Sequence, residues 1–191
     1  MPHKKLLVLT STFPRWKHDT TPAFVAHFCE SIAANFAELF VLAPHAKGAQ
    51  TCEQDGNIHI KRYRYFFPAS QETIVYEGGG VGKIKKTPGY ALKLICFLVA
   101  LSWTALTVSL TRRVQILNAH WLIPQGFVAV IIKFLTRQKV VITVHGADIL
   151  ALNGRLMVAI KRFTLKHADA VVANSTATLE ACKRVYPSAR Y

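Results

Sequence analysis

Five short apolar runs, each rich in branched side chains, constrain the fold of this chain more strongly than any other feature. Each run ends at a polar side chain that is able to bind a ligand. The runs are residues 6–10 before Ser11, 39–42 before His45, 114–117 before His120, 140–144 before His145 and 170–173 before Asn174. Such runs predict buried strands of a parallel sheet, and open α/β sheets bind ligands outside the carboxyl ends of their strands. We therefore expect the five polar residues to lie along one edge of one sheet.

Helical patterns separate the predicted strands. Thr21 is placed to cap the first helix, and Pro22 suits its first position, where a missing N–H costs nothing. Apolar residues then recur at helical spacing, at Phe24, Val25, Phe28, Ile32 and Phe36. Similar patterns predict helices over residues 124–135, 155–167 and 176–185. The alternation predicts an α/β fold with a doubly wound, mostly parallel, Rossmann-like sheet, in one domain over residues 1–191.

The stretch from residue 50 to residue 89 interrupts this alternation. Residues 58–65 alternate between apolar and polar side chains, which predicts a half-exposed strand or one arm of a hairpin. Residues 78–83 are rich in glycine, but they lack the spacing of a phosphate-binding loop and follow no predicted strand. We interpret this glycine-rich stretch as a flexible surface loop.

Composition and charge limit the classes of partner. The chain has 51% hydrophobic and 18% charged residues, so it is too apolar for a disordered protein. Its net charge of +14 favours nucleic acid, anionic lipid headgroups or a phosphorylated substrate. The four cysteines are scattered without metal-ligand spacing, which predicts reduced thiols and no metal site. Because no secretory signal precedes the first strand, we expect a cytoplasmic protein.

Residues 94–110 are uncharged and form the most apolar segment of the chain. Lysines at 83, 85, 86 and 93 precede this segment, and arginines at 112 and 113 follow it. Three interpretations remain open: a core helix packed on the sheet, a helix that is partly buried and partly dipped into a bilayer surface, and a membrane span. A span is physically untenable if the strands on both sides of it belong to one sheet.

Four motifs, taken together, resemble the amino-terminal domain of a family 4 glycosyltransferase of GT-B fold. They are Ser-Thr-Phe-Pro at 11–14, Asn-Ala-His-Trp at 118–121, Val-His-Gly-Ala-Asp at 144–148 and Ala-Asp-Ala-Val-Val-Ala-Asn-Ser at 168–175. Their order and spacing match the family, and the resemblance covers essentially the whole chain.

The resemblance implies the acceptor-binding half of a two-domain enzyme. In that family a second Rossmann-like half, which this sequence lacks, binds the nucleotide-sugar donor, and transfer takes place between the halves, commonly with retention. It implies a nucleotide-sugar as co-substrate, a glycan or lipid-linked acceptor, and no further cofactor. The expectation is that this chain alone is inactive.

The resemblance also implies the roles of individual residues. His145 matches the family histidine that reaches the donor sugar, so it is the candidate catalytic residue, and an imidazole can donate a hydrogen bond to a sugar hydroxyl. Gly146 would let the backbone approach the donor closely. His120 and Trp121 would line the acceptor pocket, although His120 could equally bond within the sheet edge. Asp148 would hold His145 or an acceptor hydroxyl, or else cap a short helix.

The first loop departs from the family pattern because residues 13–21 contain no glycine. Ser11, Thr12 and Arg15 are candidate donor-binding residues there, with Arg15 supplying the positive charge. His45, at the end of the second predicted strand, is interpreted as a surface turn residue.

Two further function classes are compatible with the composition. One is a non-catalytic α/β domain that binds a nucleotide or anion, associated with a membrane surface or nucleic acid. The other is nucleic-acid binding by the basic and aromatic residues 61–67, a short patch that makes nucleic acid the less favoured partner. An anionic membrane surface would bind through the same basic and aromatic residues, and it suits a lipid-linked acceptor. We therefore expect a peripheral position on the inner face of the membrane. A glycosidase is excluded, since only Asp148 is a carboxylate at a strand end.

Overall fold

The computed structural model describes residues 4–76 and 89–191, and it contains one seven-stranded sheet. The strands are β1 (Lys5–Leu9), β2 (Glu38–Pro44), β3 (Cys52–Asp55), β4 (Ile58–Tyr63), β5 (Ile116–His120), β6 (Lys139–Val144) and β7 (Ala170–Ala173). Their order is β3-β4-β2-β1-β5-β6-β7, and every neighbouring pair is parallel except the antiparallel hairpin β3-β4. The predicted doubly wound, mostly parallel sheet is confirmed, and so is the hairpin arm predicted over residues 58–65.

Six α-helices accompany the sheet in the described residues. They are α1 (Phe24–Ile32), α2 (Tyr90–Thr111), α3 (Phe127–Thr136), α4 (Ala147–Leu150), α5 (Arg155–His167) and α6 (Thr176–Val185). The predicted helices 155–167 and 176–185 are confirmed. The glycine-rich stretch 78–83 and the lysines at 83, 85 and 86 lie outside the described residues.

The central strands β1 and β2 are buried on both faces, which explains their continuous apolar runs. In β1, Leu7 and Leu9 face a core shared with α2, α3, α5 and α6, whereas Leu6 and Val8 face a second core under α1. Successive side chains of a strand point to opposite faces, so a strand covered on both sides needs apolar residues at every position. The continuous runs seen in the sequence follow from this double burial.

Two predicted helix starts are wrong. α1 begins at Phe24 without a side-chain cap, and the Thr21 backbone N–H instead bonds to Asp19. The helix predicted from residue 124 begins at Phe127, after a single wide turn at Leu122–Gly126. Ile123 has extended backbone angles (φ −136°, ψ 133°) because a residue that precedes proline is sterically barred from the helical region.

The interpretation of His45 as a surface turn residue is also wrong. The side chain is buried; its Nδ1 atom bonds to the carboxylate of Glu72, and its Nε2 atom lies 3.1 Å from the carbonyl oxygen of Ala49. Glu72 is itself buried, and it accepts hydrogen bonds from the backbone of Tyr65 and Phe66. The segment after β4 therefore folds over the end of β2, a contact between residues 27 positions apart that a local pattern does not reveal.

The apolar segment 94–110 lies within α2, the one described helix that is long and apolar enough to cross a membrane. One side of α2 packs on the sheet, where Phe97 and Leu101 are buried and Phe97 contacts the rings of Tyr63 and Tyr65. Only 28% of its most apolar window is buried, so the helix is not a fully covered core helix. β4 before it and β5 after it belong to the same sheet, which argues against a span.

Candidate functional site

Two histidines form the centre of the candidate site, at the carboxyl ends of adjacent strands. His120 ends β5 and His145 follows β6, and the parallel pairing of these strands brings the two side chains together. The Nδ1 atom of His120 lies 3.0 Å from the Nε2 atom of His145. The ring centroids are 5.2 Å apart and the planes differ by 18°, so the rings meet edge to edge in one hydrogen bond.

Burial keeps both imidazoles neutral near neutral pH. His120 is 1% exposed, and burial together with the neighbouring His145 lowers its pKa to about 3. Burial also lowers the pKa of the half-buried His145, although the nearby Asp148 carboxylate opposes this shift. Desolvation disfavours the charged form of histidine, which is the physical cause in both cases. The site therefore offers neutral imidazoles rather than positive charges.

The hydrogen bond between the histidines indicates which nitrogen carries each proton. The Nε2 atom of His120 is buried and has no hydrogen-bond partner among the residues that the structure describes. A buried N–H without an acceptor is rarer than an acceptor without a donor. We therefore assign the donated proton to Nδ1 of His120, which makes Nε2 of His145 the acceptor. In this arrangement the Nδ1–H group of His145 is the donor that remains for a ligand.

Three aromatic rings enclose the histidine pair. Phe24 and Phe28, one helical turn apart on α1, lie 4.8 Å from the ring of His145 and 4.9 Å from the ring of His120, between centroids. Trp121 lies 4.9 Å from His145, and its backbone has φ 76° and ψ 137°. This left-handed conformation is unfavourable for a residue other than glycine, and such strain is characteristic of functional sites. The backbone N–H of Trp121 is held by the carbonyl of Thr143.

Asp148 joins the two loops that follow β5 and β6. Its Oδ2 atom accepts the backbone N–H of Leu122 at 2.6 Å, and its Oδ1 atom accepts the backbone N–H of His145 at 3.2 Å. Of the alternatives for Asp148, the structure shows the contact with His145, made through the backbone N–H of that residue, and no described side chain caps the start of α4. Gly146 lies between them with φ 91°, a conformation that favours glycine, and an added Cβ atom would approach the Thr178 hydroxyl to 3.2 Å.

A buried lysine fixes the short helix that carries Asp148. The ammonium group of Lys161 on α5 is 1% exposed and donates to the backbone carbonyls of Ile149 and Ala151 at the end of α4. It also lies 3.4 Å from the side-chain oxygen of Asn153. The last carbonyls of a helix lack partners within the helix, so this cation satisfies them and braces the loop after His145.

Replacing Lys161 with methionine should lower the free energy of unfolding by about 2–3 kcal/mol, because the buried carbonyl oxygen of Ile149 and the part-buried one of Ala151 lose their charged donor while the side-chain volume is nearly kept. Urea denaturation monitored by circular dichroism measures this change. Lys166→Met, at an exposed position of the same helix, is the matched control and should change stability by less than about 0.5 kcal/mol. Equal effects of the two substitutions would contradict the bracing role.

The end of β7 contributes side chains whose site role was not predicted. The amide of Asn174 donates to the carbonyl oxygen of His145 at 3.4 Å and accepts the hydroxyl of Thr178. Ser175 caps α6 by accepting the backbone N–H of Thr178. Asn174 thus holds the β6 loop from the side opposite to β5. The strand pattern did identify Asn174 as a polar strand end, but not this contact.

The end of β1 lies beside the same loops. The Ser11 hydroxyl accepts the side-chain amide of the buried Gln125 at 2.5 Å, which connects it to the turn after Trp121. The Thr12 carbonyl accepts the hydroxyl of Thr10. Arg15 makes a two-pronged ion pair with Asp19, and the bound guanidinium holds the pKa of that carboxyl far below its usual value.

The structure thus brings most of the predicted site residues together. His120, Trp121, His145, Gly146 and Asp148 form one contiguous cluster, and Ser11 is linked to it through Gln125. Thr12 and Arg15 lie on the β1 loop, where the charge of Arg15 is already paired with Asp19. Phe24 and Phe28 were predicted only as sheet-covering residues, and no sequence signal marked Gln125. Among residues 4–76 and 89–191 no group of three or more His, Cys, Asp or Glu side chains is arranged to hold a metal ion.

Comparison with protein families gives one match that spans most of the chain. A family model described as a glycosyl transferase 4-like domain matches residues 21–190. No curated protein matches the chain.

Solved structures similar to this chain share its fold at low sequence identity. HepE from Anabaena, in complex with UDP-glucose, has a TM-score of 0.54 and 15% identity, covering 96% of this chain and 41% of HepE. UGT73P12 from Glycyrrhiza uralensis, complexed with glycyrrhetinic acid 3-O-monoglucuronide, has a TM-score of 0.59 and 9% identity, covering 99% and 48%. An E. coli protein bound with UDP-2-fluoro glucose has a TM-score of 0.53 and 10% identity, covering 94% and 42%. The chain spans less than half the length of each of these structures.

Proposed function

Because this chain belongs to the glycosyl transferase 4-like family, we propose that it is the acceptor-binding half of a glycosyltransferase. The enzyme moves a sugar from a nucleotide-sugar to a glycan or lipid-linked acceptor, with retention at the anomeric carbon. A second domain, outside these 191 residues, binds most of the donor. This chain alone does not catalyse transfer.

The placement of His145 carries this proposal. Its imidazole is neutral, it is held by His120 through Nε2, and its backbone is fixed by Asp148 and Asn174. The Nδ1–H group can therefore donate a hydrogen bond to a hydroxyl of the transferred sugar without reorganisation of the site. A preorganised donor in a partly desolvated site is worth far more than the same donor in water.

The other site residues divide between the two substrates. Trp121 forms the wall against which the acceptor lies, with the buried His120 behind it, and Asp148 positions this wall through its two backbone contacts. Ser11, Thr12, Arg15 and the backbone at Gly146 face the donor phosphates across the cleft. The complexes of HepE with UDP-glucose and of the E. coli protein with UDP-2-fluoro glucose support a nucleotide-sugar donor.

In the transfer itself the chain positions groups more than it reacts. The bond between the anomeric carbon and the donor phosphate oxygen breaks, and a bond from the acceptor oxygen to that carbon forms. The acceptor proton passes to the departing phosphate, so no protein base is required. The neutral His145 holds the sugar in the orientation that the transfer needs. The rings of Phe24 and Trp121 limit the access of water to His145.

Nuclear magnetic resonance of the histidine side chains tests the proposal in the enzyme that joins this chain to the donor-binding domain. We expect at least one of UDP-glucose, UDP-N-acetylglucosamine and GDP-mannose to shift the imidazole nitrogen signals of His145 more than UDP or GDP does at equal concentration. The reason is that His145 meets the sugar rather than the nucleotide. His27, exposed on α1, is the internal control and should not shift. Equal shifts with sugar-free nucleotides would contradict the assignment.

A further inference from the structure

The outer side of α2 and α3 is an exposed apolar surface that no other described element covers. On α2 it contains Leu92, Ile95, Val99 and Trp103, which are 56–68% exposed, and on α3 it contains Ile131 and Leu135, which are 40% and 67% exposed. These six residues are called the apolar shelf below. On α2 they recur at intervals of three and four residues, so they form one stripe opposite the buried Phe97 and Leu101.

The apolar shelf is continuous between the two helices. A groove of about 440 Å³ separates α2 from α3, and apart from Ser102 its lining side chains are apolar. Trp103 and Leu135 belong to both the groove and the shelf. Exposed apolar patches of this extent are rare on monomeric soluble proteins and indicate an interaction surface.

The charges around the shelf have a single sign. The sequence contains no Asp or Glu between Glu77 and Asp148, a stretch that includes the whole of α2 and α3. Arg113 follows the end of α2, Arg137 follows the end of α3, and Lys93 lies near the start of α2, whereas Arg112 lies over the ring of Phe40 on the side of α2 that faces the sheet. An apolar centre with a basic rim matches the interface of an anionic bilayer, where acyl chains lie below phosphate headgroups.

We propose that the apolar shelf binds an anionic membrane surface, with α2 and α3 lying along the bilayer and Trp103 at the depth of the headgroups. The sheet-facing side of α2 is already buried, so the helix lies on the membrane and does not cross it. Tryptophan is enriched at this depth because its ring is apolar and its N–H is polar.

The charge pattern selects a membrane over the other occupants of such a surface. A second copy of the chain would bring two basic rims together with no acidic residue to pair them, and close like charges oppose association. Nucleic acid would meet the basic rim but would gain nothing from six exposed apolar side chains. An anionic bilayer pairs its phosphate groups with the basic rim and covers the apolar centre with its acyl chains.

Sedimentation with lipid vesicles tests the proposal. The chain should sediment with vesicles of phosphatidylcholine and phosphatidylglycerol, much less with phosphatidylcholine alone, and should be released when salt rises well above about 0.1 M, where charges are screened within about 10 Å. The double substitution Val99→Gln with Trp103→Gln should weaken binding by about tenfold or more, because it removes buried apolar area. Val172→Gln is the matched control, since Val172 is half exposed on the opposite face of the sheet.

A second variant distinguishes insertion of the shelf into the membrane from nonspecific adsorption to vesicles. Trp103→Phe should still sediment, but the quenching of tryptophan fluorescence by brominated lipids should fall strongly, because Trp16 and Trp121 lie outside the shelf. Binding that ignores lipid charge, or equal losses in the shelf and control variants, would overturn the proposal. So would a dimer in sedimentation velocity without lipid that the double substitution converts to a monomer. Thermal melts confirm that each variant is folded.

Discussion

Replacing His145 with alanine should lower the turnover number of sugar transfer by about 100- to 1,000-fold in the enzyme that joins this chain to a donor-binding domain. The substitution removes one preorganised hydrogen-bond donor, the Nδ1–H group of His145. The hydrogen bond from this donor strengthens as charge develops on the transferred sugar. The Michaelis constant for the acceptor should change by less than about threefold, because the proposed acceptor contact is with Trp121 and not with His145. Steady-state kinetics with a radiolabelled nucleotide-sugar measure both constants.

Two further substitutions separate the hydrogen bond from other effects of removing the ring. His145→Asn keeps an N–H near the position of Nδ1 and should recover about tenfold of the lost turnover. His27→Ala removes an exposed histidine of α1 and should leave turnover unchanged. The unfolding free energy of His145→Ala should fall by no more than about 1–2 kcal/mol, the cost of leaving His120 Nδ1 without its acceptor. Turnover within about threefold of the original enzyme would remove His145 from its assigned role.

The sequence allowed the sheet and the line of strand ends to be predicted, because both depend on local pattern. A strand covered on two faces must be largely apolar, and β1 and β2 show this most fully, whereas Val172 of β7 is half exposed. Right-handed crossovers between parallel strands then place all carboxyl ends on one edge, whereas the order of the strands comes from the structure. His120 and His145 could therefore be assigned to one edge of the sheet, but the contact between them comes from the structure.

The contacts that give these residues their properties could not be predicted, because they join distant parts of the chain. Asp148 binds the backbone of Leu122, 26 positions away, and Gln125 reaches Ser11 across 114 positions. His45 was misplaced for the same reason, since its partner Glu72 belongs to a segment without a recognisable pattern. Lys161 resembles any helical lysine in the sequence. Its burial is favourable only because its ammonium group donates to a backbone carbonyl at the end of α4.

Acid should destabilise the fold through His120, and this effect can be isolated between pH 6.5 and pH 5. The pKa of His120 is about 3 in the folded chain and about 6.5 when unfolded. Between these values the unfolded state binds more protons, so stability falls as pH falls. The contribution of the neutral His120 to the free energy of unfolding is fully present above about pH 6.5. About 2 kcal/mol of it should be lost by pH 5, because each pH unit below the pKa of the unfolded state costs 1.36 kcal/mol.

Urea denaturation at the two pH values measures this loss, and substitution of His120 attributes it to one side chain. His120→Asn cannot titrate, but its amide can replace Nδ1–H as the donor to His145, so the variant should lose about 2 kcal/mol less than the original chain over this interval. His120→Phe removes the same titration and also the hydrogen bond, so it should match the weaker pH dependence of His120→Asn while being less stable at pH 6.5. His27→Asn, at an exposed histidine, should keep the original pH dependence. If His120→Asn retained that dependence, the acid sensitivity would belong to other groups, and the buried, neutral His120 that orients His145 would lose its support.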